Sequence, residues 1–209
     1  MRKIKNFFKG FVIFILMGVL IVAGILFYRT FQFTKTVNAY RSEVSEIAAD
    51  EGIEEYTDTI LGIMYTESKG RGTDLMQSSE SAYGTTGQIS SQEESLKQGV
   101  SHFAESLKLA EAAGCDLSTA IQAYNFGFKY IDYVKENGGE NTVSLAENYS
   151  RDVLSPGMGN TDQSQYRYMK IQSLMYNGGY LYRNGGNMFY AEIVEMNRKI
   201  LDFFAPMQK

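Results

Sequence analysis

Between Phe11 and Tyr28 the chain runs for 18 residues without a charged side chain, FVIFILMGVLIVAGILFY. As an α-helix rising about 1.5 Å per residue, this run spans roughly 27 Å, close to the hydrocarbon thickness of a bilayer. Phe7, Phe8 and Phe11 stand at one end and Phe27, Tyr28 and Phe31 at the other, as aromatic rings do at membrane interfaces. Arg2, Lys3, Lys5 and Lys9 precede the run, which places residues 1–10 in the cytoplasm and the rest of the chain outside. Cleavage as a signal peptide, leaving a secreted domain, is the alternative. The nearest small-x-small site, Val22-Ala23-Gly24, lies inside the apolar run rather than after it. The expected organisation is a basic segment at 1–10, a single transmembrane helix at 11–28, a stem at 29–41 and one domain at 42–209.

Beyond the anchor the charge reverses. From Phe31 onward there are 15 basic and 24 acidic residues, a poor match for nucleic acid, whose binding depends on basic stripes. One cysteine, Cys115, and one histidine, His102, leave no intramolecular disulfide and too few ligands for a zinc site, so no metal or cofactor is expected. A cysteine peptidase needs thiol and imidazole in contact. These two lie thirteen positions apart along an expected helix, about 20 Å of rise.

The domain reads as mainly α. Ser42–Asp50 is weakly helical and Glu54–Ser68 more strongly so, with acidic residues in its first turn. Residues 70–91 are rich in Gly, Ser and Thr and form a long loop, with room for a small hairpin. Gln92–Ala113 is the clearest helix, its Leu96, Val100, Phe103, Leu107 and Ala110 at helical spacing and Gly114 closing it. Ser118 is a candidate cap for the helix that follows. Further helical patterns cover Phe128–Glu136, Val143–Asp152, Gln163–Tyr176 and Asn187–Phe204, and no convincing set of paired strands is visible.

Glu67 is the residue with the most chemistry in it. It continues the apolar stripe of Tyr56, Ile60, Ile63 and Met64, and it sits at a helix C-terminus, where unpaired carbonyls disfavour negative charge. Burial and dipole both raise a carboxyl pKa, as a general acid at neutral pH requires. The plainer reading is a helix-end glutamate turned to solvent or paired with Lys69 or Arg71. Tyr124 alone reads as core, Asn125 as helix-ending chemistry, and the tyrosine-rich stretch from Tyr166 to Tyr190 as packing.

Three motifs shift that balance. Tyr65-Thr66-Glu67-Ser68 resembles the Glu-Ser signature of goose-type lysozymes and soluble lytic transglycosylases. Asp74-Leu75-Met76-Gln77 resembles their Gly-Leu-Met-Gln motif, and Ala123-Tyr124-Asn125-Phe126-Gly127 their Ala-Tyr-Asn-Ala-Gly motif. The string Met76-Gln77-Ser78-Ser79-Glu80-Ser81 is similar to the phage-type lysozyme-like domain of cell-wall hydrolases from Gram-positive conjugative elements and of streptococcal surface proteins. The resemblance covers roughly residues 42–204. It implies a helical lysozyme-like domain with a long active-site loop, cutting the glycan strands of peptidoglycan outside the membrane. Glu67 would be the acid, and Gln77, Ser78, Ser79, Tyr124 and Asn125 would meet substrate, with Asn125 supporting backbone or sugar contacts. Glu80 is the candidate second carboxylate, with Asp74 the weaker one. Asp74 for Gly and Phe126 for Ala are departures from the pattern.

Hydrolysis as an N-acetylmuramidase and lytic transglycosylation to 1,6-anhydro products both remain open, with hydrolysis favoured by the nearer branch. The rival from another class is a membrane-tethered glycan-binding or scaffold protein. Components of a conjugation or secretion apparatus are the protein partners the resemblance suggests.

Overall fold

The computed structural model describes residues 2–79 and 89–208, with side chains described from Lys9 onward. Helix α1 is Arg2–Asn38, and its portion Lys9–Asn38 is long and apolar enough to cross a membrane, with a mean hydropathy of 2.9 over its most apolar window. Residues 11–28 touch little else in the chain and stay exposed. The segment expected as a stem is not extended: α1 continues through it, and Thr34 and Val37 are fully buried in the domain. Phe33 packs edge-on to Tyr65 at 6.5 Å, and Arg71 lies over the opposite part of the same residue's ring at 4.6 Å. Helix α1 is therefore built into the fold rather than hung from it.

Helix α2 is Arg41–Asp50. A 3-10 turn at Glu54–Tyr56 leads into α3, Thr57–Glu67. Eight of the eleven α3 residues are buried, because TILGIMY is apolar around the whole circumference and neighbours cover it on all sides. Those neighbours are α1, α2 and α9, the last being Tyr190–Phe204. Gly62 makes the α3–α9 crossing possible: a Cβ there would lie 3.0 Å from the Val194 carbonyl oxygen.

Helix α4, Gln92–Ala113, buries the expected stripe, starts on a Ser91 side-chain cap and ends at Gly114 in the left-handed region. Helix α5, Leu117–Phe126, is capped by Asp116, whose carboxylate accepts from Thr119 N, and not by Ser118. An acid two residues earlier has the reach to the free N–H groups, whereas the Ser118 hydroxyl accepts from Asn141 Nδ2 at 2.9 Å. Helices α6 (Lys129–Glu136) and α7 (Val143–Tyr149) follow, and α7 widens into a π-turn at Ser150–Leu154.

The expected helix at Gln163–Tyr176 is largely replaced. Gln165–Arg167 (β1) pairs antiparallel with Tyr180–Tyr182 (β2), with Tyr166 opposite Leu181, and α8 is the shorter Ile171–Asn177. The Asn160 side chain holds Ser164 N and Oγ on one side of its amide and the Ser164 and Arg183 carbonyls on the other, which fixes this hairpin's base. The domain is otherwise helical, as expected.

Candidate active site

Glu67 ends α3, the most deeply buried helix of the domain, so its position is set by the core. The next residue turns the chain. The Ser68 hydroxyl donates to the Leu75 carbonyl at 2.6 Å and accepts from Gly70 N at 3.0 Å, folding the loop back over the helix end. The Glu-Ser pair thus combines a carboxyl at the helix terminus with a hydroxyl that closes the loop beside it.

Glu67 is half-buried and accepts from the Tyr190 hydroxyl at 2.5 Å. Its pKa is pushed up from the ordinary 4.5 to about 7. Desolvation is the main cause, the Asp74 charge adds to it, and the Tyr190 hydrogen bond and Lys69 work the other way. The plain alternative of an ion-paired glutamate does not describe it, because neither Lys69 nor Arg71 forms a salt bridge with it.

Asp74, in the loop after α3, has the opposite environment. One oxygen accepts from Ser78 N and Ser95 Oγ, the other from Ser79 N and Ser79 Oγ, at 2.6–3.2 Å. These donors hold its pKa below the usual carboxylate value despite partial burial. Ser95 Oγ, which donates to Asp74, also accepts from Met76 N at 3.0 Å, so one α4 side chain ties two points of the loop. Gly99 completes that docking: a Cβ there would stand 2.4 Å from the Met76 Cβ.

Glu67, Asp74, Gln77, Ser78, Ser79, Tyr124 and Asn125 line one open cleft of about 620 Å³, whose other wall includes His102, Met158 and Asn184. The expected residues come together, and they play different parts. Gln77 is exposed, in the left-handed region at φ +48°, with its Nε2 donating to the Asp74 carbonyl. Ser78 and Ser79 are buried and their groups are engaged in building the loop. Tyr124 is half-buried, its hydroxyl donating to the Met76 carbonyl at 2.9 Å and its ring stacked 6.2 Å from Tyr190. Asn125 is exposed and accepts from Asn187 N at 2.7 Å, holding the turn that carries Asn184 and Gly186. Glu80 lies outside the described residues.

Two residues with a direct bearing on Glu67 escape the sequence reading. Tyr190 falls in the apolar stripe of α9 and is 2 % exposed, which matches packing. Its hydroxyl nevertheless reaches a carboxyl 123 positions away. The sequence offers Asp74 only as the weaker second acid, while its fourfold engagement makes it the hub of the loop. His102 lies mid-way along α4, and Cys115 lies just past its C-terminal cap. His102 stacks on Phe128 at 4.7 Å, and the Cys115 thiol faces the Ile131 carbonyl at 3.8 Å.

A buried-helix carboxyl with a neutral-range pKa, facing a polar cleft on a helical domain, directs comparison to glycan-cleaving folds. A family model described as lysozyme-like matches residues 34–198. The chain belongs to the lysozyme-like family. Its first matched residue coincides with the buried Thr34, so the family boundary and the packing of α1 agree. The lysozyme-like chain is 40% identical over 190 residues to the pneumococcal vaccine antigen A of Streptococcus pneumoniae serotype 4, covering 91% of this chain and 93% of that protein. It is 39% identical over 124 residues to the bifunctional muramidase/DL-endopeptidase CwlT of Bacillus subtilis, covering 59% of this chain and 37% of that one. A crystal structure from Staphylococcus aureus, described as similar to a lipoprotein of the NLP/P60 family, superposes with a TM-score of 0.70 at 38% identity. That match covers 78% of this chain, which spans about half (52%) of the other. A cell-wall glycan hydrolase is the general activity these relationships support.

Proposed function

We propose that the protein is a membrane-anchored N-acetylmuramidase that cuts peptidoglycan strands outside the cell, with Glu67 as general acid. The observation that carries this reading is the half-buried Glu67 carboxyl, held by Tyr190 at the wall of a polar cleft, where desolvation pushes its pKa up to about 7. At neutral pH a substantial fraction of this carboxyl holds its proton, which it donates to the glycosidic oxygen as the C1–O bond breaks. The sugar left behind takes on oxocarbenium character. Water then attacks C1, its proton returns to the Glu67 carboxylate, and the strand ends in a reducing sugar. Exposed Gln77 and the Tyr124 ring supply amide and aromatic surfaces of the kind that meet N-acetyl groups and pyranose faces.

The apolar run at 11–28 and the basic residues before it support a cytoplasmic N-terminus and an external domain. Because α1 continues into the domain, the cleft would be held at a set height above the bilayer.

Lytic transglycosylation is the second reading, favoured by one observation. Among the described cleft residues Asp74 is the carboxylate besides Glu67, and hydrogen bonds from four donors occupy both its oxygens. That engagement favours a substrate hydroxyl over an Asp74-activated water as the nucleophile. The test uses the full-length chain in detergent with purified peptidoglycan, beside Glu67→Gln. Muropeptides with reducing ends from the wild type alone support the muramidase. Anhydro ends lost in the same variant make it a transglycosylase. Retained binding with no release by either protein overturns both in favour of a tethered glycan binder.

A further inference from the structure

The cleft has a neighbour at Asn184. On the far side of that residue lies a second groove of about 370 Å³, lined by Gly159, Asn160, Tyr166, Arg183 and Asn184. Asn184 is common to both linings, so the groove adjoins the cleft at that residue.

The groove is built on a fixed floor. The buried Asn160 amide donates to Ser155 Oγ, Ser164 O and Arg183 O, and accepts from both Ser164 N and Ser164 Oγ. Ser155 Oγ donates to the same Arg183 carbonyl at 2.9 Å, and Arg183 N donates to Ser164 O at 2.9 Å. Asn184 adopts φ +57°, a costly region for a residue with a side chain, and its Nδ2 donates to Met158 O at 3.0 Å. Both backbone groups of Arg183 are therefore held, while its side chain is exposed.

That side chain is one of several cations outside the ion pairs of the described residues. The ion pairs among the described residues are made by Arg41, Lys97, Lys108, Arg151, Arg198 and Lys199, and Arg183 is in none of them. Its charge lies close enough to the Tyr166 phenol to offset part of the effect of burial there. It also stands in a domain whose overall balance is acidic, so attraction of an anion here depends on a short-range contact and not on the long-range field. A guanidinium fork is suited to a carboxylate in that setting.

Resting on the glycan reading above, we propose that this groove is a subsite for the carboxylate-bearing peptide arm of the glycan. Arg183 pairs with a peptide carboxylate, and the Tyr166 ring packs on the arm beside it. A glycan lying in the cleft presents such an arm from each muramyl sugar, directed away from the sugar chain. The enzyme would then select peptide-bearing strands over bare ones.

The test measures cleavage and binding of two substrates by the full-length chain in detergent. One is peptide-bearing glycan and the other is the same glycan stripped of peptide by an amidase, with the lactyl carboxylates that this frees then capped as amides. The wild type is expected to favour the peptide-bearing strand about tenfold, the effect of one charge-assisted hydrogen bond. Arg183→Gln is expected to bring that ratio close to one, and Arg183→Lys to retain part of it. Because the readout is a ratio within each protein, a general loss of folding does not imitate it. A wild type without preference, or an unchanged ratio in Arg183→Gln, overturns the subsite. Should neither strand be cut, the enzymatic reading falls, and the binding ratio with its Arg183 dependence still decides the subsite.

Discussion

Glu67 and Asp74 are two carboxyls on one cleft, seven positions apart, and their surroundings separate them. Glu67 ends a helix buried on all sides, accepts from a single hydroxyl and carries a pKa of about 7. Asp74 lies on a loop, accepts from four donors on three serines and has its pKa held below the usual carboxylate value by them. Desolvation governs the first and hydrogen bonding the second. The pair also interacts, since the fixed charge on Asp74 helps keep the proton on Glu67. One acid is prepared for proton transfer, while the other organises the wall and tunes its neighbour.

The largest expected effect comes from deleting the acid. Glu67→Gln should lower turnover of peptidoglycan by roughly 10²–10⁴-fold, the usual contribution of a general acid. The same substitution should stabilise the fold, and the sign follows from linkage. The folded pKa is raised above the unfolded value, so ionisation of Glu67 costs folding free energy as pH rises from about 4.5 to about 7. Glu67→Gln removes that cost. Its advantage in thermal or denaturant unfolding should be near zero at pH 4 and reach about 2–3 kcal/mol at pH 8. A variant destabilised more at pH 8 than at pH 4 would show that Glu67 is held as a structural anion, and the contrast with Asp74 would collapse.

Asp74→Asn tests the other member. The amide keeps the shape but turns one acceptor into a donor facing serine donors, which should cost about 2 kcal/mol in denaturant unfolding. It should also move the alkaline limb of the activity profile to lower pH, because the charge that raises the Glu67 pKa is gone. An unshifted limb would mean that the two carboxyls are independent.

How much of this pair was legible follows from what each feature depends on. The α4 stripe Leu96, Val100, Phe103, Leu107 and Ala110 is a local, periodic signal and is buried as read. Placing Glu67 at a buried helix end needed only the α3 pattern and the dipole. The contact between β1 and β2 was not legible, because each strand has three residues and its pairing depends on the Asn160 amide network. Asp74 depends on Ser95, 21 positions onward and on another helix, so its local context gave no sign of its role. The burial of Thr34 and Val37 was not legible, because the mixed composition of residues 29–41 hides a face that only the assembled domain covers.

The smallest predicted effect is at Tyr190, where the contrast can be sharpened without removing either carboxyl. The phenol supplies the one side-chain hydrogen bond that lowers the Glu67 pKa, opposing desolvation and the Asp74 charge. Tyr190→Phe keeps the ring that stacks on Tyr124 and removes only the donor. Glu67 should therefore hold its proton to higher pH, and the alkaline limb should move upward, opposite to Asp74→Asn. At low pH, where Glu67 is protonated in both proteins, turnover should fall only a few-fold, through looser placement of the carboxyl. In the double variant Tyr190→Phe with Asp74→Asn the two shifts should oppose each other, since both act on the same proton. A Tyr190→Phe profile displaced downward would instead mean that the hydroxyl favours the neutral acid, and Glu67 would then be tuned by its helix and its burial without a balancing donor.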